Sequence, residues 1–143
     1  MKRARGIYRT GFLLSFICLF ILSGCEETGV TEYRYADGSG NTYRIGDNRT
    51  RRVEYMPVKP ETSSSGIYDG GTPATKKVTE AQYTLIVSSF NRAIAAKSSH
   101  IKNRVMMSGM LTARGPRDEK TYILAPGSNE LIDIEKILTG FIR

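Results

Sequence analysis

Tryptophan is absent from the 143-residue sequence, which contains one histidine (His100) and two cysteines (Cys18 and Cys25). Metal sites normally need several converging histidine, cysteine or carboxylate ligands, so these counts argue against a metal centre. Only two phenylalanines, Phe90 and Phe141, follow residue 24. The composition therefore predicts a small core of aliphatic and tyrosine side chains with modest stability, and it indicates no metal and no cofactor.

Familiar catalytic motifs are also missing. Ser99 and Lys102 stand at the S-x-x-K spacing of penicillin-binding proteins, but no K-T-G partner exists, and the chain is too short for that fold. No glycine stands two residues before Ser108, as a nucleophile elbow requires, and no helix is predicted after residues 38–40, as a phosphate-binding loop requires. We therefore predict a non-enzymatic protein without catalytic residues.

Acidic residues are missing from the first 24 residues. This segment consists of a basic stretch (residues 1–9), an apolar run (12–22) and two small residues, Ser23 and Gly24. This order is typical of a secretory signal peptide. The apolar run would reach only about 16 Å as a helix, whereas a hydrocarbon core is roughly 30 Å thick. A permanent transmembrane helix is not expected. Without this leader the net charge falls from +7 to +3.

Residues 22–25 (Leu-Ser-Gly-Cys) resemble the lipobox of bacterial lipoproteins, in which a leucine, a small residue and a glycine or alanine precede a cysteine. The resemblance covers the first 25 residues, and no family is identified for 26–143. It implies cleavage between Gly24 and Cys25, a diacylglycerol thioether on Cys25, and acylation of the new amino group. Two or three acyl chains anchor a domain stably. The alternative is an ordinary secretory signal that ends near a cysteine.

Lipid attachment also fits the redox chemistry of the chain. Cys18 would leave with the leader, so the mature chain could form no internal disulfide. A free thiol at Cys25 would be a liability in an oxidising compartment.

Glu26 follows Cys25, where enteric lipoproteins of the inner membrane tend to carry aspartate, so the resemblance implies the outer membrane, facing the periplasm or the cell surface. This location excludes the chromosome as a partner.

The mature chain divides into four predicted segments: a lipidated tether (25–31), a hairpin or extended segment (32–60), a linker with turns (61–77) and an α+β core (78–143). Tyr33, Tyr35 and Tyr43 share one parity around the turn-forming residues 37–41, which predicts a hairpin. A further short strand is expected at 52–58, where prolines end it.

Two amphipathic helices are predicted in the second half. Thr79 and Gln82 have the capping-box spacing and open a helix over 80–97, and a second apolar stripe predicts a helix over 130–142. Residues 103–113 and 121–125 are predicted as an antiparallel pair joined by a turn. This order indicates an α+β fold with a small antiparallel sheet of about four or five strands and both helices packed on one face.

The densest basic cluster comprises Arg49, Arg51 and Arg52, with Arg44 nearby. One interpretation is contact with an anionic surface such as phospholipid headgroups, lipopolysaccharide phosphates or cell-wall polymers. The favoured interpretation is an exposed strand edge that charge keeps soluble.

Two apolar groups admit two interpretations each. Met106, Met107 and Met110 fall in a predicted strand, where filling the core is favoured over a soft binding surface for a partner. The tyrosines of the predicted hairpin would cover one sheet face or mark an interface, and the sequence does not separate the two.

Together these features predict a non-enzymatic, membrane-anchored envelope lipoprotein that binds or tethers an envelope protein or surface polymer. A small envelope enzyme or enzyme inhibitor is the alternative. A pocket that gathers His100 with carboxylates such as Asp69 or Glu119 would favour catalysis, whereas an exposed tyrosine or methionine surface would favour binding.

Overall fold

The computed structural model describes residues 29–142, and the predicted leader, the lipobox with Gly24 and Cys25, and Glu26 lie outside this range. The predicted α+β class is confirmed, with one open antiparallel sheet and two helices. The strands are β1 (Glu32–Ala36), β2 (Thr42–Ile45), β3 (Arg52–Met56), β4 (Ala74–Lys77), β5 (Gly109–Arg114) and β6 (Glu119–Leu124). The helices are α1 (Glu80–Ala95) and α2 (Asn129–Ile142).

The sheet has six strands in the order β4-β3-β2-β1-β5-β6, slightly more than predicted. The additional strand is β4, which lies within the predicted linker 61–77 and pairs with β3 through Arg52–Lys77 and Tyr55–Ala74. This strand lies at the edge of the sheet, and its Thr-Lys-Lys residues are exposed, so the sequence shows no alternation of apolar and polar residues there. Lysines commonly protect such an edge strand against pairing with another chain. The first hairpin pairs centrally with β5, so residues 32–56 belong to the same sheet as the second half of the chain.

Both helices cover one face of the sheet. Tyr33 and Tyr35 point to that face, where the Tyr33 hydroxyl donates to Asn91 of α1 (2.9 Å) and the Tyr35 hydroxyl donates to Glu135 of α2 (2.9 Å). The hairpin tyrosines are therefore buried and belong to the core rather than to an exposed surface. The fully buried side chains are mainly large and apolar, namely Tyr35, Phe90, Ile45, Ile86, Leu111, Leu124, Ile134, Leu138 and Val53.

The predicted start of α1 is confirmed in detail. Thr79 Oγ1 accepts from the backbone N–H of Gln82 (3.2 Å), and the Gln82 side chain accepts from the backbone N–H of Thr79 (2.8 Å). Two of the N–H groups that a helix start leaves unpaired are thus satisfied. The N-cap precedes Glu80, whose charge suits the positive end of the helix dipole.

The strand predicted over 103–113 is only partly correct, because β5 begins at Gly109. Residues 103–108 form a looped segment, in which the Ser108 hydroxyl donates to the Val105 carbonyl (2.6 Å) and accepts from its N–H (3.1 Å). Met107 adopts a left-handed backbone conformation with φ of 66°, which a strand does not allow. Met106 and Met107 are 87% and 66% exposed, so the prediction that they fill the core is wrong.

The uncovered face of the sheet carries alternating charges. Residues of that face include Glu32, Arg34, Arg44, Arg52 and Glu54, and Arg44 bridges Glu32 (2.6 Å) and Glu54 (3.8 Å). Arg44 lies directly across from Arg34 on β1 and from Glu54 on β3, so its ion pairs with the two glutamates offset the like-charge pair and keep this exposed face soluble. Among residues 29–142, no helix has the length and apolar character needed to cross a membrane.

Candidate binding groove

The turn between β1 and β2 is organised by Asp37. Its Oδ1 accepts from the N–H groups of Ser39 and Asn41, both at 2.9 Å, and its Oδ2 accepts from Nδ2 of Asn41 at 2.8 Å. Gly40 has φ of 92°, a conformation that glycine adopts without a Cβ penalty. One carboxylate therefore holds three donors and gives the turn a defined shape.

Asn41 joins this turn to two other segments. Its side chain is buried, its Nδ2 also donates to the Tyr68 hydroxyl oxygen (2.8 Å), and its Oδ1 accepts from the N–H of Val58 (3.0 Å). The connection between β3 and β4 is held further by Tyr55, whose hydroxyl donates to the Gly70 carbonyl at 2.6 Å. These bonds place Asp37 and Tyr68 beside each other at one end of the sheet.

The looped segment 103–108 lies directly on the same turn. A Cβ at Gly38 would stand 2.7 Å from Cα of Met107, so only glycine fits this backbone approach. Arg104 Nη2 donates to the Asp37 carbonyl at 2.7 Å. The contact fixes the segment against the turn and leaves the Met106 and Met107 side chains outside the core.

A groove of about 630 Å³ runs between this turn, Met107 and α2. Its α2 wall includes Leu131, Ile132 and Glu135, and Ile132 is 50% exposed. A second depression of about 500 Å³, which includes Tyr55, Tyr68 and Asp69, shares Asp37, Tyr43 and Thr139 with the first. The two depressions are therefore adjacent, and together we call them the α2 groove.

Glu135 connects the groove to the core. Its Oε1 accepts from the hydroxyl of Tyr35, which has no exposed surface. Burial, together with the charge of Glu135, raises the pKa of Tyr35 far above its usual value near 10, so the phenol remains a neutral donor at all ordinary pH values. The α2 groove thus combines apolar walls with the carboxylates of Asp37 and Glu135, a chemistry suited to a ligand with apolar and basic groups.

The predicted basic cluster is divided by the structure. Arg44 and Arg52 lie on the uncovered face, where both face Glu54, while Arg51 is turned toward α1 and pairs with Glu80 (3.4 Å). Arg49 is exposed in the β2–β3 loop. Because β3 is paired on both sides, this cluster does not lie at a sheet edge, which is instead occupied by Lys76 and Lys77 of β4.

Glu32 forms ion pairs with two of the arginines on this face. Burial by itself would raise the pKa of Glu32, but hydrogen bonds and charge from Arg44 and Arg34 hold that pKa below its usual value. The Arg34 and Arg44 contacts to its two oxygens measure 2.7 Å and 2.6 Å. Arg44 is therefore engaged in an ion-pair network within the sheet rather than presented freely to an outside ligand.

His100 does not meet the carboxylates whose convergence would favour catalysis. Its Nε2 lies 2.8 Å from the carbonyl of Ala93, and its ring packs against Tyr122. Asp69 pairs with Lys59 (3.0 Å), and Glu119 pairs with Arg114 (2.7 Å). Within residues 29–142, no group of three histidine, cysteine or acidic side chains is arranged to hold a metal ion.

The α2 groove was not anticipated from the sequence, although two local patterns point toward it. Glu135 follows Leu131 by four residues, so an acidic side chain occupies the buried stripe of α2. Asp37 and Asn41 flank a glycine-rich turn in which side-chain to backbone bonds are typical. No family model, curated protein or solved structure matches the chain, so the functional assignment depends on these residues themselves.

Proposed function

We propose that this chain is a bacterial envelope lipoprotein whose α+β domain binds a protein partner in the α2 groove. The lipobox-like residues 22–25 support the anchor at Cys25, and Glu26 supports the outer membrane, with the domain facing the periplasm. Anchoring confines the domain to a surface and raises its effective concentration for a partner there. No catalytic step is part of this proposal.

The observation that carries the binding role is the exposure of Met106, Met107 and Ile132 around the groove. Large apolar side chains of a small domain are usually withdrawn from water, and a contiguous exposed group marks an interaction surface. Methionine is well suited to such a surface because its flexible thioether adapts to a partner's shape. The carboxylates of Asp37 and Glu135 would select a partner segment that carries a basic side chain beside an apolar one.

The anchor has a direct test. Replacing Cys25 with serine in the producing cell should abolish lipid attachment and increase the apparent mass, because the leader is no longer removed. Unchanged mass together with unchanged membrane association would contradict the anchor.

The groove is tested by photo-crosslinking in intact cells from Met107 and Ile132, which line it, with the exposed Thr121 on β6 as the matched control position. The same crosslinked species should form from both groove positions and not from position 121. Replacing Glu135 with glutamine should weaken that species without lowering the amount of folded protein, because the amide oxygen can still accept from the Tyr35 hydroxyl. Equal crosslinking from all three positions would contradict a groove-specific partner.

A further inference from the structure

We infer that the end of the sheet where β1 begins lies against an anionic phospholipid surface, so that the α2 groove opens away from the membrane. This end, which we call the basic end, consists of the start of β1, the 46–51 loop, the end of β4 and the 115–118 turn. The inference rests on the proposed lipid at Cys25. It adds a membrane-contacting surface and an orientation, neither of which follows from the anchor alone.

The first argument is the length of the tether. Thr31 is fixed to the sheet by two hydrogen bonds to the Arg114 carbonyl, from its N–H (2.8 Å) and from its hydroxyl (3.0 Å). Six residue steps separate Cys25 from Thr31. A fully extended chain of that length spans at most about 20 Å, so lipid insertion keeps the basic end close to the headgroups.

The second argument is charge. Antiparallel pairing brings segments distant in sequence to this one end, as shown by the register pairs Glu32–Arg114, Arg52–Lys77 and Arg114–Glu119. Eight bases and five acids meet there: Arg49, Arg51, Arg52, Lys76, Lys77, Arg114, Arg117 and Lys120, with Glu32, Asp47, Glu80, Asp118 and Glu119. The tether adds Glu26 and Glu27, which lowers the excess at this end to one positive charge. The attraction to an anionic bilayer therefore comes from exposed bases that lie within a Debye length of it rather than from a large net charge.

The exposed positions of these bases fit contact with a flat surface. Arg49, Lys76, Lys77 and Arg117 are exposed and come from three separate connections and strand ends. Arg114 and Lys120 are also exposed, although both pair with neighbouring acids (2.7 Å to Glu119 and 3.2 Å to Asp118). The α2 groove lies at the opposite end of the sheet, beside the 37–41 turn and the 103–108 segment.

The test uses the lipidated protein reconstituted into vesicles of phosphatidylcholine, with or without phosphatidylglycerol. A single cysteine is introduced for a fluorophore at Asn48, in the basic end, or at Ser64, in an exposed loop of the other end. A quencher attached to lipid headgroups reports proximity. Quenching at position 48 relative to position 64 should rise when phosphatidylglycerol is present, and high salt should reverse the rise.

A matched pair of charge variants identifies the surface. K76E/K77E should return the quenching ratio to its value in phosphatidylcholine, whereas K97E/K102E, with the same change in net charge elsewhere, should leave it high. The inference would be overturned if the quenching ratio did not change when phosphatidylglycerol is added, or if it fell equally in both variants. Retention of the protein on vesicles reports the lipid anchor separately, so a failed orientation and a failed anchor are distinguishable.

Discussion

The hydroxyl of Tyr35 donates a 2.9 Å hydrogen bond to Oε1 of Glu135, which lies 100 positions later in the chain. The bond joins the central strand β1 to α2 and sets a carboxylate at the boundary between the core and the groove. It explains how a tyrosine can be fully buried, since its single polar atom keeps a charged acceptor. Core packing and groove chemistry therefore depend on the same pair.

Replacing Tyr35 with phenylalanine should destabilise the domain by about 1–2 kcal/mol, because a hydrogen bond to a charged group is lost while Glu135 stays partly hydrated. Urea unfolding of the mature chain measures this change. Tyr122→Phe is the control, since the Tyr122 side chain is only partly buried and packs beside His100. Equal losses in the two variants would show that the Tyr35–Glu135 bond makes no special contribution.

Replacing Asn41 with alanine should cost about 2–3 kcal/mol, because it leaves the Val58 N–H and the Tyr68 hydroxyl without their partner and opens a small cavity. Tyr68→Phe, which removes one of these bonds at an exposed residue, should cost less than 1 kcal/mol, on the order of a single weak hydrogen bond. Hydrogen exchange should also accelerate at residues 57–73 in the Asn41 variant. Unchanged exchange there would show that Asn41 does not hold that segment.

Two glycine replacements should act in opposite directions. Gly38→Ala should destabilise the domain and displace the 103–108 segment, because the added Cβ would lie 2.7 Å from the Met107 backbone. Gly140→Ala should stabilise it by about 0.5–1 kcal/mol, since the position is helical and nothing lies within 4 Å of the new Cβ. Thermal unfolding of both variants checks the signs, and stabilisation by Gly38→Ala would contradict the observed approach.

Acid should weaken the domain partly through Glu32. Its pKa in the folded chain lies below the ordinary value of 4.5, so its ion pairs stabilise the fold above that pH and are lost as the pH falls through the folded pKa. Asp47, Asp69 and Glu130 also have lowered pKa values and contribute in the same direction. Glu32→Gln should therefore flatten the decline in urea midpoint between neutral and acidic pH, and an unchanged slope would exclude Glu32 from this effect.

Local patterns in the sequence were sufficient for most of the regular elements. The Thr79–Gln82 capping box, the shared parity of Tyr33 and Tyr35, and the apolar stripe of α2 each depend on contacts within a few residues or on a single buried face. The cap is made by neighbours along the chain, and burial of one face imposes a regular spacing of apolar residues, so spacing alone predicts these elements. The α+β class followed from the order of these elements.

The strand predicted over 103–113 was wrong in its first half for a non-local reason. The consecutive apolar residues 105–107 are compatible with a strand, but the backbone of Met107 packs on Gly38, which is far away in the sequence. The strand β4 was missed for the converse reason, because its polar residues gain their hydrogen bonds only when β3 is beside them. Edge pairing therefore leaves little trace in residue spacing.

The amino-acid sequence by itself predicted a lipid anchor at Cys25, and it determined the helix start at Thr79 and the shared face of the hairpin tyrosines. Only the tertiary structure decided that Met106 and Met107 are exposed, that Asp37 and Glu135 share a groove, and that bases from separate segments meet where β1 begins. The physical reason is that capping and periodicity act between neighbours along the chain. Grooves and charged surfaces are made by segments that antiparallel pairing and helix packing bring together from distant positions.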